Sequence, residues 1–322
     1  MSICVPMYNS AKTIRKTLAS IIGQSYRNIE IIVVDNCSTD DSAAIVQTFS
    51  DPRIRIVRNE IHYPCGEYNW NRCFDYATGE YMAIFHADDL YLPETVARQV
   101  RAFREIPSLV GVFTQADVID EDDTLVDALN LPPTVAPDRP YTYSEILPIT
   151  LEYGDIFPCP SAMIRRDVYQ KMAPFRYEQF GTASDLDMWM RVAQAGPVLV
   201  LGEKLLRYRV SRTQGSFFLL SRTSESDGFR TLDYHIRENG NDSNLSPETL
   251  GKYELRRMED QIFCAINLVK KRDHRGCAKF VSHMPWRRYV RIIVTKPRIS
   301  LPVLWHGCSK LWKNVKPVGR RV

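Results

Sequence analysis

The sequence predicts an α/β fold in which helices cover both faces of a doubly wound sheet. The first observation is that short apolar runs alternate with segments of helical spacing along most of the chain. The second is the largely apolar run Tyr81–Phe85, which is typical of a parallel strand buried on both faces. This run leads to Asp88 and Asp89, and ligands of open α/β sheets bind beyond the carboxyl ends of the strands.

The predicted elements follow one another in β–α order. Pro6 is expected to end the first strand, and Ser10 is expected to cap the helix after it. The segment Ser38–Asp40 offers caps to a second helix. Strands are predicted at Ile3–Val5, Ile29–Val34, Arg55–Val57, Tyr81–Phe85, Leu109–Phe113, Ser161–Ile164, Val198–Leu201 and Leu205–Tyr208, and further helices at Asn69–Tyr76, Glu94–Phe103 and Ser184–Val192.

Two later regions interrupt this alternation. From about Asp117 to Pro148 the chain is polar and carries several prolines, so we expect a long excursion or loop there. Beyond about residue 216 the pattern is helical, most clearly over Leu250–Val269. We therefore predict an α/β domain at residues 1–215 and a helical extension with a basic tail at residues 216–322.

The charge of the chain is segregated towards one end. Its 322 residues have a formal net charge of +4, but residues 274–322 hold 12 of the 42 Lys and Arg and none of the 38 Asp and Glu. Tryptophans and aliphatic residues alternate with these cations, a composition that suits the boundary of an anionic bilayer. We expect the tail to bind such a membrane surface, although a solvated basic face is the alternative. No nucleic-acid-binding motif accompanies the charge, so nucleic acid is not an expected partner.

Other features of the sequence bear on its location. No window approaches about 18 uninterrupted apolar residues, so no transmembrane helix is expected. The chain opens on a strand without a basic leader, so no signal peptide is expected either. The eight cysteines are scattered without a CxxC pair, which argues against a zinc site or a disulfide framework. We therefore expect a cytoplasmic protein, peripheral at the inner face of the cell membrane.

The adjacent carboxylates of Asp88 and Asp89 need an explanation, because two such groups repel each other. A hard divalent cation that also binds a phosphate would neutralise them. The alternative is that one of them merely caps the helix predicted at Glu94–Phe103.

Four motifs occur in order along the chain, namely Val5–Asn9, Val33–Asp40, Gly79–Tyr81 and Ala87–Asp89. Together they resemble the family-2 glycosyltransferases of the GT-A fold, and the resemblance covers about residues 2–212. It implies a mixed, doubly wound sheet with a Rossmann-like nucleotide-binding half. It also implies an inverting sugar transfer of the type that builds bacterial surface polysaccharides.

The resemblance assigns the nucleotide to the ends of the first two strands. Asp35 matches the residue that hydrogen-bonds the base, and its alternative is a turn-forming aspartate. Pro6, Tyr8 and Asn9 match the loop that lines the nucleotide, where backbone groups contribute more than side chains.

The resemblance also implies a metal. Asp88 matches the metal-binding carboxylate of the family's Asp-x-Asp motif, which implies Mg²⁺ or Mn²⁺ bound against the donor's diphosphate. His86 replaces the first acid of that motif, which normally contacts the ribose. An imidazole can donate or accept one hydrogen bond there, and a core or capping role for His86 is the alternative.

Asp185 matches the family's general base, which normally follows a glutamate that is Ser184 here. Ser184 and Asp187 could instead form a near-capping box, with Asp185 favouring the helix dipole. Arg209 matches an arginine that approaches the diphosphate, and a surface charge is its alternative. Ser211 stands where a histidine is expected, so a third metal ligand is not predicted.

The expected activity is the metal-assisted transfer of a sugar from a nucleotide-sugar, with UDP as the expected nucleotide. The acceptor is a hydroxyl of a saccharide or a lipid-linked oligosaccharide. The acceptor is expected near the segment Asp155–Pro160, whereas Trp189 is expected in the core.

Two rival functions stay open at the level of sequence. A nucleotidyltransferase would need a glycine-rich, basic loop near the first strand, but Pro6–Thr13 has no glycine and only Lys12. A catalytically inactive nucleotide-sugar-binding or scaffold subunit is the other rival, because His86, Ser184 and Ser211 depart from the family's pattern.

Overall fold

A mixed sheet of ten strands organises the first of the two units into which the chain divides, Met1–Gln214 and Gly215–Val322. The computed structural model describes residues 1–211, 221–239, 245–287, 290 and 294, and the structural statements below concern these residues. The strands are β1 (Ser2–Met7), β2 (Glu30–Asp35), β3 (Ile54–Arg58), β4 (Tyr81–Ile84), β5 (Leu90–Tyr91), β6 (Gly111–Ile119), β7 (Leu125–Leu129), β8 (Pro140–Tyr141), β9 (Met163–Arg165) and β10 (Val198–Arg209).

The first half of the sheet is parallel, in the order β3–β2–β1–β4. Strands β1, β2 and β4 are almost wholly buried, which explains their continuous apolar runs. The prediction that Pro6 ends β1 is wrong, since the strand continues to Met7. The nitrogen of Pro6 faces the side of β4, and β4 pairs with β1 only as far as Cys4. The missing N–H of the proline therefore leaves no ladder hydrogen bond unmade.

The second half of the sheet mixes strand directions, continuing in the order β9–β6–β10–β5. Strand β9 is antiparallel to both β4 and β6, whereas β10 is parallel to β6. The two runs predicted at Val198–Leu201 and Leu205–Tyr208 form the single strand β10, with register shifts between Leu201 and Leu206. A mixed α/β sheet is thus present, as predicted.

The expectation of a loop from about Asp117 to Pro148 is wrong. Strand β6 continues to Ile119 because β10 pairs with it along its length. A turn at Asp123, whose φ is 67°, then returns the chain as β7, antiparallel to β6. The residues of β7 are mostly exposed, so this strand has no apolar run that a sequence pattern could detect.

The helices of the first unit pack against the sheet and against one another. The prediction of Ser10 as an N-cap is wrong, because its carbonyl accepts hydrogen bonds from Thr13 and Ile14 in a separate turn and Thr13 occupies the N-cap. The helices are α1 (Ile14–Ile22), α2 (Ser42–Gln47), α3 (Gly66–Asp75), α4 (Thr95–Glu105), α5 (Tyr143–Tyr153), α6 (Arg166–Tyr169), α7 (Tyr177–Phe180) and α8 (Ser184–Ala195), with 3₁₀ turns at Cys159–Ser161 and Gly181–Ala183.

The described part of the second unit is helical, as predicted. A buried cluster in this unit contains Leu255, Met258 and Met284. Its helices are α9 (Asp227–Asn239), α10 (Pro247–Lys270) and α11 (His274–Ser282). Among the described residues, no helix combines the length and the apolar character that a membrane crossing requires. Most of the basic tail lies outside the described residues, so its predicted membrane contact stays a prediction.

Candidate active site

Two loops meet at the carboxyl ends of β1 and β2. Asn9 and Cys37 both adopt positive φ, at 46° and 61°, which turns each loop sharply as it leaves its strand. The backbone N–H of Asn9 donates to Ser38 Oγ at 3.0 Å, and the Asn9 side chain accepts from the N–H of Thr39 at 2.8 Å. These reciprocal bonds hold the predicted nucleotide loop, including the exposed Tyr8, in a defined position beside the end of β2.

Asp35 ends β2 and is fully buried. One carboxylate oxygen accepts the N–H of Ser38 at 2.9 Å, which is the turn-forming role that was the alternative prediction. The other oxygen, Oδ2, has no hydrogen-bond partner among the described residues, and its nearest cation is Arg58 Nε at 3.8 Å. A buried carboxylate oxygen without a donor is unfavourable, so Asp35 keeps an acceptor available for a ligand.

His86 to Asp89 form a polar turn, called the acid turn below, between β4 and β5. Helix α1 holds it: Thr17 Oγ1 donates to the carbonyls of Ala87 and Asp89 at 3.0 and 2.8 Å. The hydroxyl of Tyr91 accepts the N–H of His86 at 2.7 Å. Neither aspartate caps α4, whose N-cap is Glu94, so the capping alternative is wrong.

The acid turn brings three potential ligands together. Ligand atoms of His86, Asp88 and Asp89 all lie within 4.8 Å of one another. Two of the buried atoms, His86 Nε2 and Asp89 Oδ2, have no hydrogen-bond partner in the described part of the chain. Burial, and then the charge of Asp88, raises the pKa of Asp89 well above its ordinary value. Burial also lowers the pKa of His86, which favours the neutral imidazole that can ligate a metal.

This donor set fits a divalent cation. One imidazole nitrogen and two carboxylates suit Mn²⁺, and the carboxylates alone suit Mg²⁺. The orphaned oxygen of Asp89 would gain a partner, and the repulsion between Asp88 and Asp89 would be relieved. His86 stacks on Trp70 with ring centroids 5.6 Å apart, so it is packed in place yet keeps a nitrogen without a partner.

Arg209 ends β10 and is only 3% exposed, so the surface-charge alternative is wrong. Its backbone N–H donates to Asp89 Oδ1 at 2.7 Å, and its Nε donates to the Asp88 carbonyl at 2.7 Å. The rest of the guanidinium bonds to the Asp120 carbonyl at 2.7 Å and pairs with Asp123. Arg209 therefore holds the acid turn against the β6–β7 turn, and a contact with the diphosphate stays a prediction.

Asp185 lies in the first turn of α8 and is half-buried. Its Oδ1 accepts the N–H of Leu186 at 2.8 Å. Burial first, and then the charge of Glu67, raises the pKa of Asp185 to about 6. A carboxylate with such a pKa is mostly ionised at neutral pH and is still a stronger base than an ordinary aspartate.

The near-capping box predicted as the alternative role of Ser184 is wrong. The N-cap position of α8 is Ala183, and the Ser184 hydroxyl donates to Glu67 Oε1 at 3.3 Å. Asp187 faces the other way and pairs with Arg176 and Arg191.

Cys159 is a buried residue on which the charges of several acids of the candidate site act. This buried thiol has its pKa raised by desolvation and then by the charges of Asp185, Asp155, Glu67 and Asp89. Charges from the acid turn, α3 and α8 thus act on one residue of the segment predicted to lie near the acceptor. Pro6, by contrast, contributes only through its place near the end of β1.

Trp189 is fully buried, as predicted. Its ring packs edge-on against Phe113 and Phe175, with centroids 5.3 and 5.7 Å apart. It belongs to the core beneath the site.

This sheet, with the predicted nucleotide loop and the acid turn at the carboxyl ends of its strands, has the architecture of an α/β protein that binds its ligand beyond those strand ends. The solved structure of S. aureus TarS in complex with UDP shares the fold, with a TM-score of 0.54 and 19% identity over 87% of this chain and 89% of that one. The mannosyltransferase PcManGT from Pyrobaculum calidifontis, in complex with GDP-Man and Mn²⁺, is 17% identical with a TM-score of 0.54. The match covers 97% of this chain and 87% of PcManGT. The predicted GT-A fold is confirmed.

The family model described as glycosyl transferase family 2 matches residues 2–172, and the chain belongs to this family. It is therefore a glycosyltransferase, as predicted. Among curated relatives, the putative teichuronic acid biosynthesis glycosyltransferase TuaG of Bacillus subtilis is 28% identical over 213 residues, which cover 65% of this chain and 79% of TuaG.

The adjacency of Asp88 and Asp89 in the sequence predicted a shared cation, and the structure brings both acids together with His86. Sequence reasoning missed Glu67, whose carboxylate accepts the hydrogen bond of Ser184. Glu67 lies far from every motif in the sequence, and no local pattern could have associated it with Asp185.

Proposed function

We propose that this enzyme is an inverting glycosyltransferase that moves a sugar from a nucleotide-sugar to a hydroxyl of a saccharide or lipid-linked acceptor. Residues 1–215 would form its catalytic domain. The observation that supports this best is Asp185, a half-buried carboxylate in the first turn of α8 with a pKa of about 6, next to Ser184, which is hydrogen-bonded to Glu67.

Asp185 is the general base in this proposal. Its ionised carboxylate accepts the proton of the acceptor hydroxyl while the hydroxyl oxygen attacks the anomeric carbon. The attack comes from the face opposite the diphosphate, and the bond from the anomeric carbon to the diphosphate oxygen breaks as the new glycosidic bond forms. The nucleoside diphosphate leaves with the electron pair, the configuration inverts, and no covalent intermediate with the enzyme is needed.

The acid turn is the proposed metal site, with Asp88 as the principal ligand and His86 and Asp89 as further donors. A bound Mg²⁺ or Mn²⁺ would stabilise the negative charge on the departing diphosphate. Arg209 holds Asp88 and Asp89 through the backbone bonds described above, so its role here is to position the ligands. The Mn²⁺ named for PcManGT makes Mn²⁺ a reasonable first metal to test.

The nucleotide is proposed to bind at Asp35 and at the loop that carries Pro6, Tyr8 and Asn9. Asp35 has one buried acceptor oxygen without a partner among the described residues, which suits the single imide N–H of uracil. Tyr8 is 47% exposed and lies 4.6 Å from His62 between ring centroids, so the nucleotide loop also offers an aromatic surface for a base. The UDP named for TarS agrees with a UDP-linked donor.

The acceptor is proposed to be an intermediate of polysaccharide biosynthesis, which agrees with TuaG being a putative teichuronic acid biosynthesis glycosyltransferase. A cytoplasmic protein that meets a lipid-linked acceptor would benefit from membrane contact, and the basic residues beyond Asp273 could supply it. We expect the full chain to sediment with anionic liposomes at low salt and to be released at high salt. Equal binding to neutral and anionic liposomes, or binding to neither, would contradict this part of the proposal.

The deciding experiment is a screen for nucleotide release from UDP-glucose, UDP-N-acetylglucosamine, dTDP-glucose and GDP-mannose with MnCl₂ or MgCl₂. We expect slow hydrolysis of at least one donor, because a transferase without its acceptor can pass the sugar to water. Asp185→Asn should retain nucleotide binding by calorimetry but lose this release. Binding without release from any donor, with saccharide acceptors present as well, would favour an inactive subunit instead.

A further inference from the structure

The general base of the resembling family follows a glutamate, and this chain has Ser184 at that position. The structure nevertheless places a glutamate from another helix beside this serine. Glu67, in the first turn of α3, accepts the hydrogen bond of the buried Ser184 hydroxyl at 3.3 Å, across a separation of 117 residues. Its charge is also the principal neighbouring charge that acts on Asp185.

We infer that Glu67 is a positioning residue for this base: it supplies through space the carboxylate that the chain lacks at residue 184. Through the Ser184 hydroxyl it anchors the first turn of α8, and its negative charge increases the proton affinity of Asp185. The inference rests on the proposed role of Asp185 as general base.

Glu67 is held on a rigid support. Asn69, in the same helical turn, is buried, and its side chain donates to the carbonyl of Val34 in β2 at 3.0 Å. The side chain of Asn59 donates to Asn69 Oδ1 at 2.9 Å and to Asn36 Oδ1 at 3.2 Å. This amide network ties the start of α3 to the end of β2, so Glu67 cannot move far from α8 without breaking buried hydrogen bonds.

The neighbouring charge that acts on Asp185 is negative and comes from Glu67 of α3. Cys159 is a buried neutral thiol, since desolvation first and then the charges of Asp185, Asp155, Glu67 and Asp89 raise its pKa. The cations on the opposite side of α8, Arg176 and Arg191, are both paired with Asp187. Cys65, before α3, has its own pKa raised to about 11, first by burial and then in part by Glu67, so it is a neutral thiol at neutral pH.

This arrangement also explains why residue 184 is a serine. A glutamate at position 184 would bring a second carboxylate against Glu67, and like charges in a buried site repel each other. A hydroxyl instead donates to Glu67, whose pKa is raised above its ordinary value chiefly by burial. Ser184 and Glu67 therefore form one unit, divided between two helices.

The test is the pH profile of nucleotide release for Glu67→Gln, with the donor of the screen that gives the fastest release. Removing the charge should lower the pKa of Asp185, so the acid limb should move to lower pH by on the order of one unit. The plateau rate should fall about 3–10-fold, because a weaker base assists less. Glu67→Asp, which keeps the charge, should retain the acid limb of the native enzyme. Glu60→Gln, at an exposed position before α3, is the matched control and should leave both unchanged.

Exchanging the two side chains sharpens the test. The double variant Glu67→Ser with Ser184→Glu restores one carboxylate and one hydroxyl, so its acid limb should return to within a few tenths of a unit of the native value. If Glu67→Gln does not fold, the double variant decides alone. A folded double variant with the native acid limb supports the inference, and any other result overturns it.

Three further outcomes are distinguishable. An unchanged acid limb and rate in folded Glu67→Gln, while Asp185→Asn is inactive, would overturn this inference and leave the proposed function standing. Full activity of Asp185→Asn would instead overturn the assignment of the base. If no donor gives nucleotide release, the pKa of the Asp185 carboxyl is measured instead, by ¹³C NMR titration of the native and Glu67→Gln proteins without metal. Equal pKa values in the two proteins would overturn the inference.

Discussion

The acid turn and the first turn of α8 each carry two acidic residues, but the structure treats the four carboxylates differently. In α8, Asp187 is fully buried and neutralised by Arg176 and Arg191 at 2.5 and 2.9 Å. In the acid turn, Asp89 is equally buried but keeps an oxygen without a hydrogen-bond partner in the described residues. Asp187 is thus a structural ion pair, whereas Asp89 is prepared for a ligand.

Asp185 differs from both, because it is half-buried and the neighbouring charge that acts on it comes from another acid, Glu67. The comparison teaches that a buried carboxylate takes its role from the groups that face it. An arginine pair gives a structural ion pair, a second acid beside an imidazole suits a metal ligand, and a neighbouring acid that raises the pKa suits a base. Four experiments, from the largest expected effect to the smallest, test this distinction.

The largest effect should come from removing the metal. We expect excess EDTA to abolish sugar transfer, because the acid turn would lose the cation that balances Asp88 and Asp89. Mn²⁺ should restore the rate, and Asp88→Ala should be inactive while retaining its thermal midpoint. Full activity in excess EDTA would mean that the acid turn is not a metal site.

The next largest effect is on the transfer rate, and it should differ between the two acids of α8. Asp185→Asn keeps the size of the side chain but cannot accept a proton, so the rate should fall about 10²–10⁴-fold. Asp187→Asn, the matched change two residues away, should retain most of the rate per folded molecule. Equal losses in the two variants would show that Asp185 acts through the structure of the helix, not as a base.

In stability the order of the two variants is reversed, and Asp187→Asn should show the larger loss. Asp187→Asn leaves Arg176 and Arg191 without their buried partner and should destabilise the protein by about 3–5 kcal/mol. The measurement is denaturant unfolding of the native protein and both variants at neutral pH. A stability for Asp187→Asn close to that of the native protein would contradict the structural role assigned to its ion pairs.

The smallest effect concerns the pH dependence of stability. The pKa of Asp185 is raised from 3.8 to about 6, so the folded state holds its proton more tightly than the unfolded state does. The stability contributed by this group is present below about pH 4 and is lost as the pH rises to 6. Asp185→Asn lacks this loss, so its thermal midpoint at pH 7.5 should be at least about 2 °C higher than that of the native protein, with the difference reduced near pH 4. A lower midpoint at both pH values would indicate that Asp185 stabilises α8.

Most of the parallel half of the sheet was predictable from the sequence, because its strands β1, β2 and β4 are short, largely apolar runs. The second half was less predictable. The partly polar strand β6 extends to Ile119 only because β10 lies beside it, and the exposed strand β7 exists only because β6 offers it an edge. Such pairings depend on distant segments, and no local pattern contains them.

The sequence alone determined the family, the α/β class and the residues that carry the motifs, because motif order and apolar periodicity are local properties of a chain. Only the tertiary structure decided what surrounds those residues. It buried Arg209 against the backbone of the acid turn and placed Glu67 beside Ser184 across 117 residues. The pKa and the available hydrogen bonds of a side chain depend on neighbours in space, and folding brings those neighbours from separate parts of the chain.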